Sequence, residues 1–422
     1  VWFETWHYVL THVDPAVDPV RVARAAIHAA YARAVDNELE DARQLLVQAE
    51  TLMPAEHPLW SHLRGVRSFT LVIESKYREA LIAAEEAVEV ASRRGTLRDQ
   101  SQAYEFLAHP AILPLLGEKG RRTMQEWVTD AETAGDDRIL IDASLAFSSD
   151  VWTRGLVDDD VLRRSEEAIR KAGEYGWTHD EAKQRVLLGW AQFLIGRWTE
   201  AETHLRRARE VVEAHGGRFY GIGWLFLLPY AEANLAMGSG RLTEARGILD
   251  DALTKLRFHA PIWLNHDLAR CLVMLGDVAA ARTAMERSLV ARDKFRCIVC
   301  GCQANGVAAE FYATLGEADP AERLIADAEA TASEIGHVTT RIRVRRARAR
   351  LALREGTARE AVEAAREAVE LGQELPVVQP LEHGQSQLLL GHAHRAAGDS
   401  QRAAAAWREA HRSFSGLGAP WY

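Results

Sequence analysis

The sequence is poor in cysteine, methionine and proline, with 4, 5 and 12 of them among 422 residues. Four thiols are too few for a disulfide scaffold of this length, and so few prolines leave long stretches free to form helix. No apolar run approaches the roughly 20 residues that a membrane-spanning helix needs. No alternating apolar and polar stretch of useful length announces a strand. The catalytic phrases GxxxxGK[ST], HExxH and GxSxG are missing. "GIGWLF" from Gly221 lacks the third glycine and the preceding strand of a dinucleotide site. Excess basic charge is absent too: 51 Lys and Arg against 60 Asp and Glu give −9, which argues against direct nucleic-acid binding by the surface as a whole. These absences leave a folded, non-catalytic protein as the expectation, with no membrane and no nucleic-acid partner. The lack of a signal-peptide pattern points to the cytoplasm. Because "VWFETWHYVL" is already helical in pattern, the chain reads as a piece of a longer polypeptide.

What is present is one phrase repeated: Gly or a stand-in, Ala five residues later, and usually Ala again seven after that. It runs "GRWTEAETHLRRA" from Gly196, "GRLTEARGILDDA" from Gly240, "GDVAAARTAMERS" from Gly276, "GEADPAERLIADA" from Gly316, "GTAREAVEAAREA" from Gly356 and "GDSQRAAAAWREA" from Gly398. The first Ala recurs at Ala42, Ala80, Ala201, Ala245, Ala281, Ala321, Ala361 and Ala403. Small residues at these spacings let two antiparallel helices approach closely after a tight turn, so each phrase marks a helical hairpin stacked on its neighbours. The expected fold is an all-α, right-handed α-solenoid of about ten hairpins. N-terminal repeats fill 1–96, degenerate repeats 97–177 and regular repeats 178–422, in one continuous solenoid. Pro110 and Pro114 break the rhythm, Asp158, Asp159 and Asp160 read as an N-cap with an acidic first turn, and Pro229 is expected to kink its helix.

Leu390, Gly391, Ala403, Trp407 and Ala410, and likewise Leu188, Gly189, Ala201, Leu205 and Ala208, resemble the tetratricopeptide pattern, though at a period longer than its roughly 34 residues. The long period, the Ala and Arg richness and the closing "SFSGLGAPWY" resemble the helical sensor region of large bacterial signal-transduction ATPases, relatives of the maltose-regulon activator among them. That resemblance implies a sensor or interaction region that binds a protein, a peptide or an acidic small-molecule inducer and relays its presence to effector modules. A constitutive assembly scaffold is the alternative.

The resemblance also implies which positions of each first helix line a groove: Arg343, Arg346 and Arg350; His392 and Arg395; Gln303 and Glu310; Trp263, His266 and Arg270; Tyr230 and Asn234; Lys183, Trp190 and Phe193. Arginine forks take carboxylates or phosphates bidentately, and Trp and Tyr supply rigid contact area. The run "RIRVRRARAR" either holds an anionic ligand end or is a solvated face paired with acids such as Glu310 and Glu355. Trp190, Trp224 and Trp263 fall around the central repeats, as core or as cavity wall.

"CIVCGC" places Cys297, Cys300 and Cys302 at spacings that suit zinc or an iron–sulfur cluster, against the reading of buried small hydrophobes. Cys271 lies too far along its helix to join them, whereas His259 and His337, near the starts of the flanking first helices, are better placed. Zinc is thus the one cofactor the sequence raises, and a metal-dependent enzyme built on this cluster the remote alternative.

Overall fold

Each repeated glycine sits where the phrase requires a left-handed turn. In the computed structural model, which describes residues 2–214, 225, 227–256 and 259–419, φ is +84° at Gly196, +79° at Gly240, +83° at Gly276, +82° at Gly316, +80° at Gly356 and +81° at Gly398. Asn37 and Ser75, each five residues before a repeat Ala, take the same conformation with φ of +64°. They are the stand-ins, and asparagine is among the few side chains that tolerate that region. All eight repeat alanines have no exposed surface. The second small position is as closed, at Ala208, Ala328 and Ser288, whose hydroxyl donates to Ile262 O at 2.6 Å across the hairpin.

The described residues form helices and no strand. The chain divides into two compact units, Val1–Phe147 and Ser148–Tyr422, and the division falls inside the stretch 97–177. In the first lie α1 Trp2–His12, α2 Pro19–Val35, α3 Leu39–Leu52, α4 Trp60–Ile73, α5 Tyr77–Arg94, α6 Leu97–Leu107 and α7 Glu118–Ala134. A 3-10 turn at Leu113–Leu116 absorbs Pro114, and α8 Asp137–Ser148 runs up to the boundary, its last residue being the first of the second unit. The pairs α2/α3 and α4/α5 are the two regular hairpins here, and Ala26, Ile27, Ala42, Leu46, Leu63 and Val66 form the core shared by α2, α3 and α4.

The second unit begins with the one-turn helix α9 Asp150–Thr153, followed by α10 Asp159–Glu174, which Asp158 caps by accepting from Val161 N at 2.8 Å. Six hairpins follow: α11 Thr178–Leu194 with α12 Trp198–Ala214, α13 Leu228–Gly238 with α14 Leu242–Lys255, and α15 Ala260–Met274 with α16 Val278–Phe295. Then come α17 Ile298–Leu315 with α18 Ala318–Ile335, α19 Val338–Glu355 with α20 Ala358–Gln373, and α21 Pro380–Ala396 with α22 Ser400–Leu417. The fold is thus a right-handed α-solenoid, and helices of up to 18 residues account for the long period. Pro229 does not kink a helix. It stands in the first turn of α13, where its missing N–H would have had no partner anyway. Trp224, the phrase at Gly221 and the closing residues 420–422 lie outside the described residues.

The six hairpins of the second unit come round to meet each other. Trp198 at the start of α12 joins Leu381 and Leu388 of α21 and Leu417 of α22 in packing against the cluster of Ala410, Phe414 and Ala419. A Cβ added to Gly196 would stand 2.7 Å from Leu417 Cδ2 and 3.0 Å from Pro380 Cγ. The first hairpin is therefore sealed onto the last, and the layer of first helices encloses an interior.

Candidate functional site

Residues 149–157 occupy that interior. Every one of them except the half-buried Leu156 is buried, although the stretch carries Asp150 and Arg154. Those two pair with each other, Arg154 Nε lying 2.9 Å from Asp150 Oδ1. The first-helix layer holds the stretch at three levels. Trp152 stands edge-on to Tyr230 of α13 and Trp263 of α15, with centroids 4.9 and 5.2 Å away, and tilted to Trp190 of α11 at 6.2 Å. Gln303 of α17 donates its amide to Trp152 O at 2.9 Å, and Gln379, the N-cap of α21, donates to Gly155 O at 2.7 Å. Leu156 packs against the cluster of Ile342, Ala368, Leu371 and Leu375. At Gly155 φ is +73°, and a Cβ there would meet Thr339 Oγ1 at 2.6 Å.

Trp190, Tyr230 and Trp263 thus form the aromatic wall that the repeat register placed together, with Phe193 stacked on Trp190 at 5.2 Å. The residue they surround, Trp152, was invisible to the register because it lies outside any hairpin. Below the wall, Asn234 donates to Tyr230 O and to Asp267, and Arg270 reaches Asp267 Oδ1 at 2.8 Å and Asn234 Oδ1 at 3.2 Å. His266 is sealed in with neither ring nitrogen hydrogen-bonded. Burial drives its pKa down to about 4, against the nearby Asp267. Lys183 pairs with Asp180 at 3.1 Å on its own helix.

The arginine run has two faces: Arg341, Arg345 and Arg348 form a solvated face paired with Glu374, Glu329 and Glu367, whereas Arg343, Arg346 and Arg350 turn inward and are not a free cationic surface. Arg346 is 1% exposed and binds Glu310 with both ends of its fork, at 2.8 and 3.0 Å. Its third nitrogen lies 2.7 Å from Glu382 Oε2. Arg343 holds Glu382 Oε1 at 2.9 Å and Arg350 holds Glu310 Oε1 at 2.6 Å. Burial raises the pKa of Glu310, but Arg346 and Arg350 outweigh it and bring the carboxyl to about 2. Two carboxylates of the chain supply what a ligand's anion would have supplied. A buried guanidinium demands such partners, and Glu310 and Glu382 stand one repeat to either side of α19. His392 and Arg395 are not part of this network. Both are exposed, His392 edge-on to Trp407 at 5.5 Å and Arg395 Nη1 3.1 Å from Ser400 Oγ.

The thiols sort differently from the expected trio. Cys297 is the N-cap of α17 and Cys300 its third residue; together with His259, the N-cap of α15, they bring three ligand atoms within 4.8 Å of one another. Cys302 points instead toward Thr340 of α19, and burial pushes its thiol up to about 12. Cys271 donates to Leu242 O at 3.3 Å, apart from the others as its register required. His337 is engaged through both nitrogens, accepting from Thr340 N at Nδ1 and facing Gln303 Nε2 at 3.2 Å. The Cys300 S–H donates to Cys297, which draws the Cys297 thiol well below its ordinary value despite burial, with His259 adding to the effect. Trp263 Nε1–H points at Cys300 Sγ from 3.4 Å.

No protein-family model matches the sequence, and no curated protein does. Solved structures do match in shape. A Rap protein complexed with competence and sporulation factor superposes with a TM-score of 0.56 at 12% identity, covering 94% of this chain and 99% of that one. The human IFIT1 dimer with m7Gppp-AAAA gives 0.50 at 13% identity, covering 97% and 93%. At these identities the likeness establishes the fold. Among the described residues no helix is long and apolar enough to cross a membrane.

Proposed function

We propose that this chain is a non-catalytic recognition module whose 148–422 unit binds a short segment of a protein or peptide partner, one helical turn followed by a left-handed glycine, in the place its own residues 149–157 now fill. The observation that carries the reading is the pair of side-chain amides, Gln303 and Gln379, donating to the main-chain carbonyls of Trp152 and Gly155. Such bonds read a backbone rather than a particular side chain, while the aromatic wall and the Leu156 site read an aromatic residue and an aliphatic one four positions later. The module serves as the sensor or interaction part of a larger regulator in the cytoplasm, exchange of the inner segment for a partner's being the event relayed. An acidic small-molecule inducer is the weaker ligand class, because it would have to part Arg346 from Glu310 or Glu382 at a cost of several kcal/mol.

A peptide array tests the proposal. Full-length protein carrying Trp152→Ala and Leu156→Ala, which vacates both sites, is probed against peptides that vary the aromatic-to-aliphatic spacing. Selective retention of the four-residue spacing supports peptide recognition. Retention independent of spacing, or none, refutes it and favours a scaffold whose interior is permanently closed.

A further inference from the structure

Two adjacent first helices begin with chemistry that the inner segment does not use. Arg296 takes a left-handed conformation, φ +50°, between α16 and α17, and this turn swings Cys297 back over the start of α17. Cys297 and Cys300 then project from one helical turn, and His259 reaches the same point from the start of α15. Both sulfurs are buried and the imidazole is half-buried, so the group has a dry side toward Trp263 and a wetter side at His259.

We infer that His259, Cys297 and Cys300 form a zinc site, with a fourth position open on the His259 side. Zinc held by thiolate and imidazole at about 2.3 and 2.0 Å needs donor atoms about 3.5–3.8 Å apart in a tetrahedron. The three atoms lie within 4.8 Å of one another, about an ångström from that spacing. An iron–sulfur cluster asks for four cysteines, and neither Cys271 nor Cys302 joins the group. Binding one Zn2+ displaces to solvent whatever protons the Cys297 and Cys300 sulfurs carry, leaving two thiolates and a neutral imidazole on the cation. The Trp263 indole that touches Cys300 also packs on Trp152, so zinc bound here abuts the pocket that holds the inner segment. The zinc site stands independently of the peptide reading.

The test uses untagged full-length protein, reduced, loaded with zinc sulfate and passed through a desalting column before elemental analysis. One equivalent is expected for the wild type and for Cys302→Ser and Cys271→Ser, with at least a tenfold loss of zinc affinity in Cys297→Ser. His259→Gln, a change at a half-buried helix start that leaves the core intact, is expected to lose zinc similarly while keeping its helical circular dichroism. Cobalt in place of zinc should give thiolate-to-metal charge-transfer absorption that Cys297→Ser removes. Less than a tenth of an equivalent in the wild type, or full retention in Cys297→Ser, overturns the site. So does a Cys297–Cys300 disulfide that persists under the reducing conditions of loading.

Discussion

Replacing Arg346 by Met separates a structural ion cluster from a ligand-binding surface. The side chain is 1% exposed and is the cation shared by Glu310 and Glu382. Removing one partner of a buried ion pair costs about 3–5 kcal/mol, because the charge left behind cannot reach water. Arg350 still reaches Glu310 and Arg343 still reaches Glu382, so the loss should lie near the lower end, about 3 kcal/mol. Adding Glu310→Gln and Glu382→Gln removes the stranded carboxylates, and the half-buried Arg343 and Arg350 can turn toward solvent. The triple variant should return to within about 1 kcal/mol of the wild type. A chain of two units does not guarantee two-state unfolding. The assay is therefore urea-dependent hydrogen exchange, read by mass spectrometry on peptides from α17, α19 and α21. A loss under about 1 kcal/mol in the single variant, or a triple variant no better than the single, would refute the reasoning.

Three further outcomes are expected. Burial holds His266 neutral with a pKa of about 4 and His337 with one of about 3. The unfolded chain takes up protons below the ordinary value near 6.5, so this stability is complete above pH 6.5 and falls as pH drops toward the folded values. Each site forfeits at most about 2 kcal/mol by pH 5; a melting temperature unchanged between pH 7 and 5 would contradict this, and His337→Asn should flatten the slope. Gly391→Ala drives a Cβ to 2.3 Å from Trp407 Cδ1, so the last hairpin should loosen by about 1–2 kcal/mol in hydrogen exchange, while Gly247→Ala, which meets nothing within 4 Å, should be neutral or stabilising. Gly155→Ala combines a left-handed φ with a 2.6 Å approach to Thr339 Oγ1. It should expose residues 149–157 to limited proteolysis at protease levels the wild type withstands.

The hairpins were legible because each is a local device: five residues from turn to first small position, seven more to the next. The same register brought Trp190, Tyr230 and Trp263 to one wall and set Glu310 beside the arginine run. It gave no warning of the contacts that make the interior. Gln303 meets Trp152, and Gln379 meets Gly155, across long separations in the chain, and Trp198 meets α21 and α22 at the closure. Contacts of that kind leave no period behind. The inward arginines were only half legible for a related reason: Glu310 could be placed beside them, but Glu382, one repeat away on the other side, could not. His259 entered through the repeat register, as a helix-start residue beside another helix start, which is where a cysteine spacing alone could not look.

The central claim is that the interior of the 148–422 unit is a site for a short segment of chain, held at present by residues 149–157. Fluorescence anisotropy of a labelled peptide with the sequence of residues 148–158 tests it directly. The full-length wild type should not bind, because the tethered copy competes at an effective concentration on the order of millimolar. The Trp152→Ala, Leu156→Ala protein should bind with saturation, and Gln303→Ala added to it should weaken that binding. A vacated protein that keeps its helical circular dichroism yet binds no peptide would contradict the account.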